Sequence, residues 1–195
     1  MRFVVDVEPD GRVLRGERNR EAIVDALLAL YDDGVLRPSV HDVAERAGVS
    51  ARSVHNHFDD MEALRAEVAE QQFQRYAHLW EPPPTELRLD ARITQLVDRR
   101  AALFEAITPV RRAAMLSAHD SPAIARRLGR VGRMLRAQLA TLFTVELERR
   151  DAETLDAIDL CASWDAWDRL RTQQRLTITG AKRVVVTAMN ALLEP

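Results

Sequence analysis

Cysteine is all but missing from this sequence. Cys161 stands alone, which excludes an internal disulfide and a metal site built from several cysteines. No run is long and apolar enough to cross a membrane, and the stretch Met1 to Asp6 lacks the pattern of a signal peptide. A cytoplasmic protein without a membrane partner is expected. An excess of positive charge is also missing. The net charge is −2, and the first sixty residues carry eight arginines against twelve carboxylates, a net of −4. Composition therefore lacks the basic footprint of a nucleic-acid binder. There is no Gly-rich phosphate loop and no Gly-x-Ser-x-Gly elbow. His55 and His57 stand about 200° apart around a helix and cannot share a metal. Cys161 falls among apolar neighbours inside a helical pattern, where a buried, inert thiol is expected. No catalytic residue, metal or cofactor is expected, so the reading is not an enzyme.

What is present is helical periodicity. Hydrophobic residues make up 47% and charged residues 30%, an ordinary balance for a soluble globular protein. Nowhere do the apolar residues alternate as in a strand, so the expected class is all-α. Residues 1–15 read as a flexible arm, with a short extended piece at 2–7 and a turn at Asp10-Gly11. Arg12 and Arg15 could reach a groove from it. A first helix is expected from Arg18 to Asp32, ended by Gly34. A fourth helix, capped by Asp60, should run to about Trp80, where three consecutive prolines, 82–84, stop the chain. The expected units are 16–62 and 63–195, divided inside that helix. Further helices are expected over Asp90–Ile107, from Thr108-Pro109, from Ser121-Pro122 to about Arg149, over Thr154–Gln174, and from a Thr177 cap onward.

One stretch organises the N-terminal half. Ser39 with Asp42 three residues on has the form of a capping box, and Val40, Val43, Ala44 and Ala47 follow at helical spacing. Gly48 supplies the positive-φ end, Ser50 caps a second short helix, and Val54 and Phe58 are its buried positions. A small residue at the crossing, a glycine in the turn and a β-branched residue on the second helix suit a helix-turn-helix. The second helix then turns Ala51, Arg52, Ser53, His55, Asn56 and His57 outward, side chains suited to phosphates and base edges. An ordinary helical hairpin fits the same spacing.

The run Ala47-Gly48-Val49-Ser50, then His55-Asn56-His57-Phe58, then Glu62-Ala63-Leu64 resembles the DNA-binding domain of the tetracycline-repressor (TetR) family over roughly residues 12 to 66. The chain departs from that pattern at His55 and Met61, where the family usually has Tyr and Lys that touch phosphate. The resemblance implies a three-helix helix-turn-helix domain followed by a helical ligand-binding and dimerisation domain. It implies a transcriptional regulator, a ligand-responsive repressor acting as a homodimer on a palindromic operator in double-stranded DNA. Operator contacts are expected from Arg18, Ser39, Ser50, Ala51, Arg52, Ser53, His55, Asn56 and His57. Base reading falls mainly to Arg52 and Asn56, and phosphate contact to Ser50, His55 and Arg18.

The C-terminal half supports two further expectations. Its last two helices carry more apolar residues than a peripheral helix needs, as helices do when they pair across a two-fold axis. Ala181, Val184, Val185, Ala188 and Leu192 should form a narrow seam on the last one. The resemblance also implies a pocket for a small hydrophobic or amphipathic effector. Phe104, Met115, Leu116, Leu139, Phe143, Trp164 and Trp167 are its candidate lining, although plain core explains such residues as well. The competing reading is a ligand-binding or scaffold protein of the same fold with weak or lost DNA binding, motivated by the acidic N-terminal half.

Overall fold

The computed structural model describes residues 11–194, with side chains from Arg15 onward. The extended piece expected at 2–7 and the reach expected of Arg12 lie outside the described residues. Among those residues there are eleven helices and no strand. No helix is long and apolar enough to cross a membrane among them. The chain forms two compact units, one ending at Gln72 and the other beginning at Phe73.

The first unit holds α1 (Gly11–Asp32), α2 (Val40–Ala47), α3 (Ala51–His57) and most of α4 (Met61–Arg75). The helix expected from Arg18 already covers the first described residues, Gly11–Asp32, so residues 11–15 of the expected arm are helical. Ile23, Leu27 and Tyr31 recur on one face of α1 and are buried, as are Val43 and Ala44 of α2, Val54 of α3, Phe58, and Leu64 and Val68 of α4. Each such apolar side chain stabilises the unit by roughly 1.5–3 kcal/mol, which outweighs the weak propensity of helices as short as α2 and α3. Gly34 ends α1 with φ +84°.

The second unit contains α5 (Ala77–Trp80), α6 (Leu89–Ala118), α7 (Pro122–Leu142), α8 (Thr144–Leu147), α9 (Glu153–Cys161), α10 (Trp164–Thr172) and α11 (Ile178–Leu193). Its core gathers Ile93, Leu103 and Phe104 of α6, Leu139 of α7, Phe143, Trp164 and Trp167 of α10, and Ala181 and Met189 of α11. The helix expected to reach Trp80 is interrupted at Tyr76, between α4 and α5.

Four other expectations differ from the fold. Thr108-Pro109 does not start a helix, because α6 runs straight through it with Pro109 inside. The Thr108 hydroxyl donates backwards to the Phe104 carbonyl at 2.5 Å instead of capping the next turn. Burial of Phe104 and Ile107 before the proline and Ala113 after it holds both flanks. The helix expected over Thr154–Gln174 breaks at Ala162, since Ser163 turns its hydroxyl to accept the Ala166 N–H at 3.1 Å and caps α10. Cys161 is therefore the last residue of α9 and half-buried, not the mid-helix buried thiol expected. The helix from Ser121-Pro122 starts as expected, with Ser121 Oγ accepting from Ile124 N, but ends at Leu142.

Candidate nucleic-acid interface

Local hydrogen bonds fix both short helices of the motif. Ser39 Oγ accepts from the Asp42 N–H at 3.3 Å, while the Asp42 carboxylate accepts from the Ser39 N–H and hydroxyl, both at 2.7 Å. The backbone N–H of Ser39, with its hydroxyl, holds the Asp42 carboxyl below the usual carboxylate range. Gly48 has φ +68° and ends α2, and the Val49 N–H returns to the Ala44 carbonyl at 3.0 Å. Ser50 Oγ then accepts the Ser53 N–H at 3.1 Å and starts α3. Asp60 does the same for α4 through the Ala63 N–H at 2.8 Å.

With Val54 and Phe58 buried, the rotation of α3 is set. Arg52, His55 and Asn56 are exposed, at i, i+3 and i+4 on one side of the helix. Ala51, Ser53 and His57 flank them and are half-buried. The His57 ring lies along α1, where a methyl group on Gly16 would meet its Cε1 at 4.0 Å. Ser39 and Ser50 are exposed, but their hydroxyls are engaged in the caps of α2 and α3. Arg18 is exposed on α1 and already interacts within the chain. Arg20 is spent inside the unit. Its guanidinium carbon sits 4.8 Å from the Phe58 ring centroid, and Nη2 donates to Glu67 at 3.0 Å. Arg46 pairs with Asp33 at 2.5 Å. The geometry thus offers a firmly held short helix whose outer side carries one guanidinium, one imidazole and one amide.

The structure distributes the seven candidate pocket residues between one small cavity, the closed core and the surface. Phe104 and Trp167 line a cavity of about 10 Å³, room for a single water, together with Val97, Arg100, Ala101, Cys161, Ala162, Ser163 and Val185. Leu139 and Phe143 are fully buried in the core, and the Trp164 indole N–H donates to Thr108 Oγ1 at 3.0 Å. Met115 and Leu116 are 43% and 42% exposed near the end of α6. Sequence reasoning missed Arg100. A signal was there, because Arg100 falls in helical phase with Ile93, Leu96, Val97 and Phe104. Among the described residues no group of three or more His, Cys, Asp or Glu side chains could hold a metal ion.

Residues 23–68 match the tetR family of bacterial regulatory proteins. No curated protein sequence matches the chain. A TetR transcription regulator from Haloarcula marismortui shares the fold with TM-score 0.71 and 18% identity, over 91% of this chain and all, 100%, of that one. A transcriptional regulator from Rhodococcus sp. RHA1 gives TM-score 0.69 at 17% identity, covering 92% and 96%. A protein of Mesorhizobium loti assigned to the TetR family gives 0.64 at 22%, also over 92% and 96%.

Proposed function

We propose that this chain, whose residues 23–68 match the tetR family and whose fold is shared with regulators of that family, is a tetR-family DNA-binding transcriptional regulator that acts as a homodimer. The observation that carries the reading is the outer side of α3, where Arg52, His55 and Asn56 stand exposed on a helix fixed by the Ser50 cap and by buried Val54 and Phe58. In a major groove, Arg52 and Asn56 have the donors and acceptors that read guanine and adenine edges. Ser50, His55 and Arg18 would meet phosphates, and Ser39, Ala51, Ser53 and His57 would border the contact.

The dimer reading is supported by α11, which has two apolar sides. Ala181, Val185, Met189 and Leu193 are buried in the unit's own core. Gly180, Val184, Thr187 and Ala191 follow one another on the opposite side, a stripe of small residues with Val184 44% exposed. Leu160 on α9 is exposed as well. Two copies joined there would present two α3 helices to a palindromic operator. A small effector that favours a form unable to bind the operator would make the protein a ligand-responsive repressor.

A salt titration of binding to a DNA fragment from the gene's own promoter tests this. Sequence-selective binding that weakens linearly with log salt is the expected result. No selective binding even at low salt would leave a ligand-binding or scaffold protein of the same fold, the reading that the net −4 of the first sixty residues favours.

A further inference from the structure

Two arginines on α6 are buried, and the fold treats them differently. Arg92 is met by a carboxylate, with Nη2 and Nη1 donating to Glu146 at 2.5 and 3.2 Å. Arg100, 5% exposed, has no carboxylate within hydrogen-bond reach. Its Nη1 donates to the Ala162 carbonyl at the end of α9 and its Nη2 to the Leu135 carbonyl of α7, both at 2.8 Å. Its Nε–H is buried without an acceptor. The acid that acts on it electrostatically, Asp159, is already shared with Arg136, 3.7 Å away. Burial pushes the Arg100 guanidinium down to about 10, against the pull of Asp159, so it is still charged at neutral pH.

A buried cation without an anion costs stability unless something compensates it. The carbonyl at the negative end of α9 does so in part. Arg100 also forms the wall of the small cavity, whose other sides are Val97, Phe104, Trp167 and Val185, with half-buried Cys161 and Ser163 at the α9–α10 junction. We propose that this cavity is the effector site, and that it takes a small carboxylate with an apolar body whose anionic end is held by Arg100. One guanidinium among apolar walls suits a monoanion, since a phosphate dianion calls for more donors than the cavity has. The present volume of about 10 Å³ admits no such ligand. Entry therefore requires the α9–α10 junction to part from α6, and a ligand that binds only the parted form shifts the population toward it. The effector role rests on the regulator reading; the binding chemistry does not.

The test uses the full-length protein with benzoate and hexanoate as probes, and benzyl alcohol and hexanol as neutral counterparts of similar shape. Tryptophan fluorescence and melting temperature are recorded at millimolar concentrations. Both acids should bind saturably and raise the melting temperature, with the alcohols weaker by about tenfold or more, as expected for a charge-assisted hydrogen bond. Arg100→Met, which keeps volume but removes the charge, should bind acids and alcohols alike and melt no lower than the wild type. Equal binding of acid and alcohol by the wild type, or no binding of either acid, overturns the proposal without any variant. So does a large fall in the melting temperature of Arg100→Met, which would make Arg100 a structural tie only. If the acids bind but do not release operator DNA, the site stands and its effector role fails. If operator binding is intact and neither acid binds, the site fails alone.

Discussion

Arg20→Met separates an arginine that holds the helix-turn-helix together from one that meets DNA. In the structure Arg20 stacks on Phe58, immediately after α3, and pairs with Glu67 on α4. Its side chain is 41% exposed and that of Glu67 29%, so the ion pair must be discounted for solvent screening to roughly 0.2–1 kcal/mol. A half-exposed cation over a phenyl ring adds about 0.5–1 kcal/mol. Arg20→Met should therefore cost about 1–2 kcal/mol in urea unfolding at neutral pH, and Glu67→Gln less than about 1 kcal/mol. The pH dependence distinguishes the two parts. The hydrogen bond from Arg20 holds the Glu67 carboxyl below its ordinary value, despite some burial. Its contribution is complete above the unfolded pKa of about 4.3 and disappears as pH falls through the lower folded value. The difference between wild type and Glu67→Gln should vanish there, while the Arg20→Met difference shrinks only to its aromatic part. In DNA binding, the slope of log affinity against log salt should be the same for Arg20→Met and wild type. A slope reduced by about one would mean that Arg20 neutralises a phosphate, and would refute this assignment.

Arg52→Ala should weaken binding to the specific site by about 1–3 kcal/mol in fluorescence anisotropy, and an unchanged affinity would mean that another side of α3 faces DNA. Gly48→Ala should cost about 1–2 kcal/mol in thermal unfolding, a backbone cost at φ +68° alone, because nothing lies within 4 Å of the added methyl. Glu146→Ala should cost about 3–5 kcal/mol by stranding Arg92, 9% exposed, and Arg92→Met in the same chain should recover most of it. A loss under about 1 kcal/mol would show that water reaches the pair. Val184→Glu should yield a folded monomer in sedimentation equilibrium, and a persisting dimer would move the interface off that side of α11.

What could be read from the sequence was what neighbouring residues decide among themselves. The Ser39 and Asp42 box, the Gly48 turn and the Ser50 and Thr177 caps each depend on contacts three or four residues apart, and the structure has them all. Of the six side chains expected outward on α3, Arg52, His55 and Asn56 are exposed, while Ala51, Ser53 and His57 are half-buried. Hydroxyl direction was not legible. Thr108-Pro109 and Ser121-Pro122 look alike as sequence, yet one hydroxyl bonds backward inside α6 and the other forward at the start of α7. The difference comes from core residues packed on both flanks of Pro109. Tertiary partners were equally hidden. Nothing local marks Arg20 as a structural tie, because its ring partner lies 38 residues along the chain. The position of Arg100 in the apolar phase could be seen, but its acceptors are backbone carbonyls of other helices.

The break at Ala162 and Ser163 leaves α9 and α10 with nine residues each. Helices shorter than about 12–15 residues are marginal by themselves in water, whereas α6 has 30 residues. The two sides of the Arg100 cavity thus differ in their resistance to local opening. Backbone amides of α9 and α10 should exchange with solvent deuterons well before those in the buried middle of α6. The second unit then joins a long helix carrying Arg100 to two short ones whose hold on it rests on the packing of Ile158, Trp164 and Trp167.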